Sequence, residues 1–160
     1  MPTLRRATPS DAALLTQHRH RMFADNDFAT EAHLAKLDAA FEPWVRTHVA
    51  DGTYIGLLLE DDETKEVLAG AGIFFHDFAP HWMDLTPTRA YLLNFYTNPE
   101  ARGRGYSNQL LRAAVEECRT KGVALVTLHA SKFGRPIYEK FGFKQSTEMM
   151  LRFDDAFPNP

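Results

Sequence analysis

The chain has 160 residues, 44% of them hydrophobic and 24% charged, with a formal net charge of −3. That is enough chain for one domain with its own core, residues 1–160, and the weak acidic balance gives no basis for a nucleic-acid partner. There is no N-terminal apolar signal segment, no run long enough to span a bilayer, and a single cysteine, Cys118, that cannot close an internal disulfide, so the expectation is a cytoplasmic protein with no membrane partner.

Thr3-Leu4-Arg5-Arg6 predicts a short first strand. A helix start follows: Thr8 can cap, Pro9 suits the first helical position, and Asp11 falls in the first turn. Leu14, Leu15, His18 and Met22 continue that helix, and Asp25-Asn26-Asp27 reads as a loop. From about Thr30, the spacing of Leu34, Leu37, Phe41, Trp44, Val45 and His48 predicts a second helix. Pro43 should kink or split it, and Asp51-Gly52 should end it. Tyr54 to Glu60 and Val67 to His76 predict a hairpin around the charged turn Asp61 to Lys65. Gly70 and Gly72 weaken its second arm or let a neighbour pack closely against it. Asp77 to Arg89 reads as a loop of a length that often carries function.

The stretch from Tyr91 to Cys118 organises the rest. Tyr91 to Thr97 is apolar and aromatic, as a buried strand is. Asn98-Pro99-Glu100-Ala101 is a turn cluster. Ser107, Leu110, Leu111, Ala114, Val115 and Cys118 then fall on one face of a helix. Arg102-Gly103-Arg104-Gly105-Tyr106-Ser107 joins strand to helix. The first N–H groups of a helix have no partner inside it, and its dipole puts partial positive charge there. Gly103 and Gly105 let a ligand approach the backbone, and Arg102 and Arg104 add charge, so the junction suits an anion such as phosphate. It is not the dinucleotide fingerprint, because position 108 is Asn. Nor is it a P-loop, because Gly105 is followed by Tyr106.

Gly122 should cap that helix, and Val123 to His129 predicts a strand parallel to the Tyr91 strand. Ser131 to Lys140 contains a short helix stopped by Gly142, and Lys144 to Phe153 predicts a closing strand or hairpin arm. No linker or repeat suggests a second domain.

Arg102-x-x-Gly105-x-Ser107, placed between an apolar strand and an amphipathic helix, resembles the acyl-CoA pyrophosphate loop of the GNAT N-acetyltransferase superfamily. The family pattern is Gln/Arg-x-x-Gly-x-Gly/Ala, so Ser107 is a departure. Pro136-Ile137-Tyr138-Glu139-Lys140-Phe141-Gly142-Phe143 is similar to the family's second signature. The resemblance implies an α/β (α+β) fold in one domain. Its mixed sheet is antiparallel in its N-terminal part and has two splayed central parallel strands, here Tyr91–Thr97 and Val123–Ala130, with helices on both faces.

It also implies acetyl-CoA as cofactor and transfer of the acetyl group to an amine. The loop Arg102, Gly103, Arg104, Gly105, Tyr106 and Ser107 would hold the pyrophosphate. The strand end at Phe95, Tyr96 and Thr97 would pair with the pantetheine arm. A backbone N–H at Phe95 or Tyr96 would polarise the thioester carbonyl, a donor of a kind worth roughly 3 kcal/mol. Tyr138 would be the general acid, since a phenol near pKa ~10 is protonated at neutral pH and can protonate a departing thiolate. Ser131 stands where many relatives carry an Asn that contacts the cofactor. Ser is shorter, and a helix cap is its better reading.

The general base stays open among Asn94 through a water, His76, Asp77, His129 and Glu31. The seven histidines show no metal-ligand spacing, so no metal is expected. The expected partner is a small-molecule amine, met by Asp25, Asp27, Glu31, Asp77 and Asp84 with His76, Phe78, His81 and Trp82, and a homodimer is left open. The other readings are an acyl-CoA-binding module without turnover, a protein N-acetyltransferase, and transfer of a longer acyl group or to a hydroxyl.

Overall fold

The computed structural model describes residues 1–153. Five strands, β1 (Thr3–Arg6), β2 (Tyr54–Glu60), β3 (Val67–Asp77), β4 (Thr88–Thr97) and β5 (Val126–Leu128), lie in one sheet in sequence order. The first four pair antiparallel and β5 joins β4 in parallel. A parallel pair needs a crossover, and the helix Tyr106–Thr120, numbered α3 below, supplies it. The mixed sheet expected from the sequence is the one that forms.

Helices cover both faces. On one, α1 (Ala12–Asp25) and α2 (Glu31–Asp51) bury Ala12, Leu15, Phe41 and Val45 against Tyr54 and Leu58. On the other, Leu110, Leu111, Ala114 and Cys118 of α3 pack on Ile55, Leu57, Ala71 and Ile73, with Ile137, Tyr138 and Phe141 of α4 (Arg135–Phe141) at the rim. β2 is covered on both sides, which is why it reads as a continuous apolar run rather than an alternating one. Truncating one of these buried leucines to alanine costs about 2–5 kcal/mol. Among the described residues no helix is long and apolar enough to cross a membrane.

Three expectations are corrected. Helix α2 runs unbroken through Pro43. Pro43 is on the exposed side, so the carbonyl that loses its N–H partner faces water and the helix is not split. β5 is only three residues long instead of spanning Val123 to His129. Its pairing with β4 stops at Leu92↔Leu128, just before an irregularity in β4. Residues 144–153 form no strand, and Met149, Met150, Leu151 and Phe153 are exposed. A three-residue neighbour offers too few ladder bonds to offset ordering a ten-residue segment, which costs about 1–2 kcal/mol per residue.

The irregularity in β4 is a bulge at Asn94. Its φ is 58°, and the β3–β4 register shifts between Gly70 and Gly72. Before the bulge, Ala90 and Leu92 join the α3-side core. Leu93 packs on the α1–α2 side, and Asn94 points the same way, donating to the Leu15 carbonyl at 3.3 Å. Phe95 then returns to the α3 side and Tyr96 meets His18 of α1 with ring centroids 5.1 Å apart.

The candidate active site at the open end of strands β4 and β5

The bulge and the end of β5 act together. From Leu93 to Thr97, β4 keeps its β3 partner but has no β5 partner, so one edge of the strand is open. The junction that follows begins with a 3-10 turn at Pro99–Ala101. Gly103 and Gly105 take φ of 76° and 81°, a region that carries a strain of about 1–2 kcal/mol for a residue with a Cβ. A Cβ on either would meet nothing within 4 Å, so the space over the loop is open. Among the described residues the N–H groups of Gly103, Arg104 and Gly105 have no acceptor. They lie beside the first turn of α3, whose own N–H groups lack intrahelical partners. This is a set of donors aimed at an open space, which suits an anion.

The loop's side chains brace it. Arg102 donates from Nε to the Thr97 carbonyl at 3.1 Å and from Nη2 to Asp25 at 2.7 Å. Arg104 donates to the Glu100 carbonyl at 3.2 Å. The Ser107 hydroxyl lies 3.4 Å from that of Thr97, tying the start of α3 to the end of β4.

Tyr138 stands on the α3 side of the opening. Its ring makes edge contacts with Phe95 and Phe143, each at 5.9 Å between centroids. A Cβ at Gly134 would sit 3.0 Å from the Tyr138 ring, so that glycine leaves room for it. The Tyr138 hydroxyl has no hydrogen-bond partner among the described residues. Burial, with Tyr91 nearby, pushes its pKa up to about 12, so it is a protonated phenol at neutral pH. Ser131 makes the turn before α4: its Oγ accepts from the Gly134 N–H at 3.1 Å, and its carbonyl from the Arg135 N–H. The cap position itself belongs to Gly134.

The candidate bases separate. Asn94 is buried with Oδ1 on Arg19 and Nδ2 on Leu15, so both ends of its amide are engaged. His76 stacks on Phe74, and its Nδ1 contacts the Asp77 carbonyl. Glu31 pairs with His20. His129 lies with Nδ1 2.6 Å from the Tyr91 hydroxyl, on the strand that carries the opening.

The acidic residues expected around the acceptor do not converge. Asp25 pairs with Arg102, Glu31 with His20, and Asp84 with the Thr86 hydroxyl and N–H of its own turn. Trp82 is 82% exposed and lines nothing. Of these carboxylates, Asp84 alone is held by its own turn, while Asp25 and Glu31 are taken by basic residues on other segments. Among the described residues, no three His, Cys, Asp or Glu side chains stand close enough to hold a metal ion. Burial and Glu117 push the Cys118 thiol up to about 11, so it stays protonated in the core.

A cation occupies the α1 side of the bulge instead, and sequence reasoning missed it. Arg19 donates from Nη1 to Asn94 Oδ1 at 2.9 Å, and its guanidinium carbon lies 4.9 Å from the ring centres of both Phe23 and Phe41. Leu15, His18, Arg19 and Met22 have the i, i+3, i+4, i+7 spacing of one helix face. A charged residue inside an apolar stripe was the signal. Next to it, burial first and Arg21 second lower His18 to about 4, so its imidazole is neutral. A Cβ at Gly70 would stand 2.8 Å from His18 Nδ1, which explains the glycine.

Comparison with known proteins fits this geometry. The model of the acetyltransferase (GNAT) family matches residues 17–143. The crystal structure of a GCN5-related N-acetyltransferase from Ralstonia eutropha JMP134 superposes with a TM-score of 0.90 at 31% identity, covering 96% of this chain and 99% of that one. A protein from Clostridium acetobutylicum, described as a predicted acetyltransferase with acetyl-CoA, superposes with a TM-score of 0.86 at 28% identity, covering 95% of this chain and 96% of that one. Glucosamine-6-phosphate N-acetyltransferase from Arabidopsis thaliana shares the fold, with a TM-score of 0.68 at 17% identity over 96% of this chain and 99% of that one. No curated protein sequence matches the chain.

Proposed function

The chain belongs to the acetyltransferase (GNAT) family, a family of acyltransferases, and from that premise we propose that it transfers the acetyl group of acetyl-CoA to the primary amine of a small molecule. One observation carries the reading. The unpartnered N–H groups of Gly103, Arg104 and Gly105 and the unpaired edge of β4 adjoin each other in open space. That space suits a ligand with a phosphate end and an extended amide arm. The relative described with acetyl-CoA adds support at 28% identity.

When bound, acetyl-CoA supplies the activated thioester. The residues present fit it. Backbone N–H groups from Gly103 to Ser107 would hold the pyrophosphate, with the α3 dipole behind them and Arg102, whose own N–H is spent on Pro99, bracing the loop. The Leu93–Thr97 edge, through Phe95, Tyr96 and Thr97, would take the pantetheine arm as an added strand. Tyr138 holds a proton on its hydroxyl and would supply it to the CoA thiolate as the amine replaces sulfur on the acyl carbon. His129 receives the amine's proton in this reading. What supports that role is its 2.6 Å contact with the hydroxyl of Tyr91 on β4.

The small-molecule acceptor follows from charge. A polybasic protein tail would be steered by a strongly acidic face. The chain has a net charge of only −3, and of the acidic residues expected at the acceptor, Asp25 and Glu31 are already paired with Arg102 and His20. The test is steady-state release of CoA thiol with polyamines, amino acids and aminoglycosides against basic peptides. The expected result is release with at least one small amine and a higher kcat/KM than with any peptide. A peptide that outperforms every small amine overturns the acceptor class. Tight CoA binding with no release by any amine identifies a binding module instead.

A further inference from the structure

A desolvated cation is costly unless a counter-charge meets it. Arg5, partly buried on β1, has two: its guanidinium reaches Asp11 through two bonds of 3.0 Å and Glu60 through one of 2.7 Å. Arg19 has none. Its one hydrogen bond goes to the neutral Asn94 amide, and among the described residues no carboxylate pairs with it. A guanidinium carries five N–H donors, so most of this one is unused. Arg19 Nε is sealed from solvent without an acceptor. Nη2 has no acceptor either among the described residues and is not sealed, so it is the open end of the fork.

The group is held in place. Phe23 and Phe41 flank the guanidinium, and the Asn94 that grips it is itself tied to the Leu15 carbonyl. Burial lowers its pKa, the mark of a cation short of a counter-charge. Through Asn94, Arg19 is fixed at the bulge where the open edge of β4 begins.

We propose that Arg19 docks a carboxylate of the acceptor, so that the acceptor is an amino acid or a similar compact molecule bearing an amine and a carboxylate together. This rests on the acetyltransferase reading above. A guanidinium is the cation best suited to a planar carboxylate, and the unpartnered Nη2 is the end of the fork left open to one. The aromatic flanks keep water away and strengthen that pairing. An amine without the anion leaves the cation uncompensated, so the same site rejects it.

Free amino acids and their carboxamides are matched pairs that differ in the anion alone. With wild-type protein, CoA release should favour the acid over its amide by at least tenfold in kcat/KM for the preferred pair. Arg19→Gln keeps an N–H for Asn94 and removes the charge. It should erase the preference and leave CoA affinity and melting temperature in place. Arg19→Lys keeps the charge without the fork and should retain part of the preference. Equal rates with acid and amide in the wild type overturn the proposal. So does an Arg19→Gln protein that loses both activities in proportion and melts lower, which is what a merely structural role produces. An aminoalkyl phosphonate that outperforms its carboxylate analogue overturns the choice of anion. Calorimetry with N-acetyl amino acids and their amides reads the same site without turnover. If no amine releases CoA, the transferase reading fails by itself, while equal binding of those two probes refutes the role of Arg19.

Discussion

The β1 corner and the α1–β4 seam each hold a partly buried arginine, and the chain treats the two oppositely. At the corner, hydrogen bonds to Asp11 and Glu60 raise the pKa of Arg5 despite its burial. At the seam, burial lowers that of Arg19, and one neutral amide is its hydrogen-bonding partner. The corner joins β1, the turn before α1 and the end of β2. The seam lies beside the bulge that opens β4. Where a charge serves the scaffold, the chain supplies its counter-charge. Where it serves a site, the counter-charge is left to arrive from outside.

The difference implies that substitutions on the site side should change binding and turnover more than stability, and those on the scaffold side the reverse. The largest effect is expected at Gly105. Gly105→Glu forces a side chain into a φ of 81° and puts a carboxylate over the open N–H groups. Lost charge-assisted bonds and backbone strain together should weaken CoA binding by about 10²-fold or more, roughly 3 kcal/mol. Calorimetry on the folded variant checks this, and unchanged CoA affinity would remove the loop from the site.

Tyr138→Phe comes next. It keeps the ring and removes the proton, so kcat should fall by about 10²-fold with CoA affinity unaltered. Because the wild-type hydroxyl is pushed up to about 12, it adds no alkaline limb to the rate below that range. A limb near the ordinary phenol value that vanishes in Tyr138→Phe would contradict the burial described here.

Gly72→Ala tests the scaffold. A Cβ there would run into the Tyr54 hydroxyl and ring, both buried. Overpacking of this kind costs about 1–3 kcal/mol, read as a lower midpoint in urea with CoA affinity retained.

Arg5→Gln is the smallest effect, about 1 kcal/mol at neutral pH for a pair with some solvent exposure. Burial alone would raise the Asp11 carboxyl, but hydrogen bonds from Arg5 and the Thr8 N–H hold it below its usual range. The stability it contributes is present above the ordinary carboxylate pKa and is lost as pH falls through the lower folded value. The gap between wild type and Arg5→Gln should therefore close below pH ~4, as urea titrations across pH would show.

The parts of this fold that were legible are those written in local periodicity. The strand Tyr91–Thr97, the loop glycines, α3 and the Gly52 stop could be read because each depends on neighbours a few residues away. Pro43 misled because its cost depends on which side of α2 meets water, and that is decided by packing. Residues 144–153 misled because their apolar pattern suits a strand, yet strand formation needs a partner edge that three-residue β5 does not offer. The candidate site divides the same way. Tyr138 and Arg102–Ser107 sit in contiguous motifs. Arg19 gains meaning only from Asn94, 75 residues away, and from a bulge whose positive φ falls on an asparagine rather than a glycine.

That bulge also means β4 is read in two frames. Up to Leu93, odd-numbered residues face α1 and α2; after Asn94, even-numbered ones do. Deleting one residue at the bulge would restore a single frame. Phe95 would then stay on the Tyr138 side and Tyr96 on the His18 side, whereas straightening the bulge without removing a residue would turn both away. Any exchange of β4 with a relative must therefore preserve phase as well as sequence: a segment matched in hydrophobicity but shifted by one position would deliver every side chain beyond Asn94 to the wrong layer.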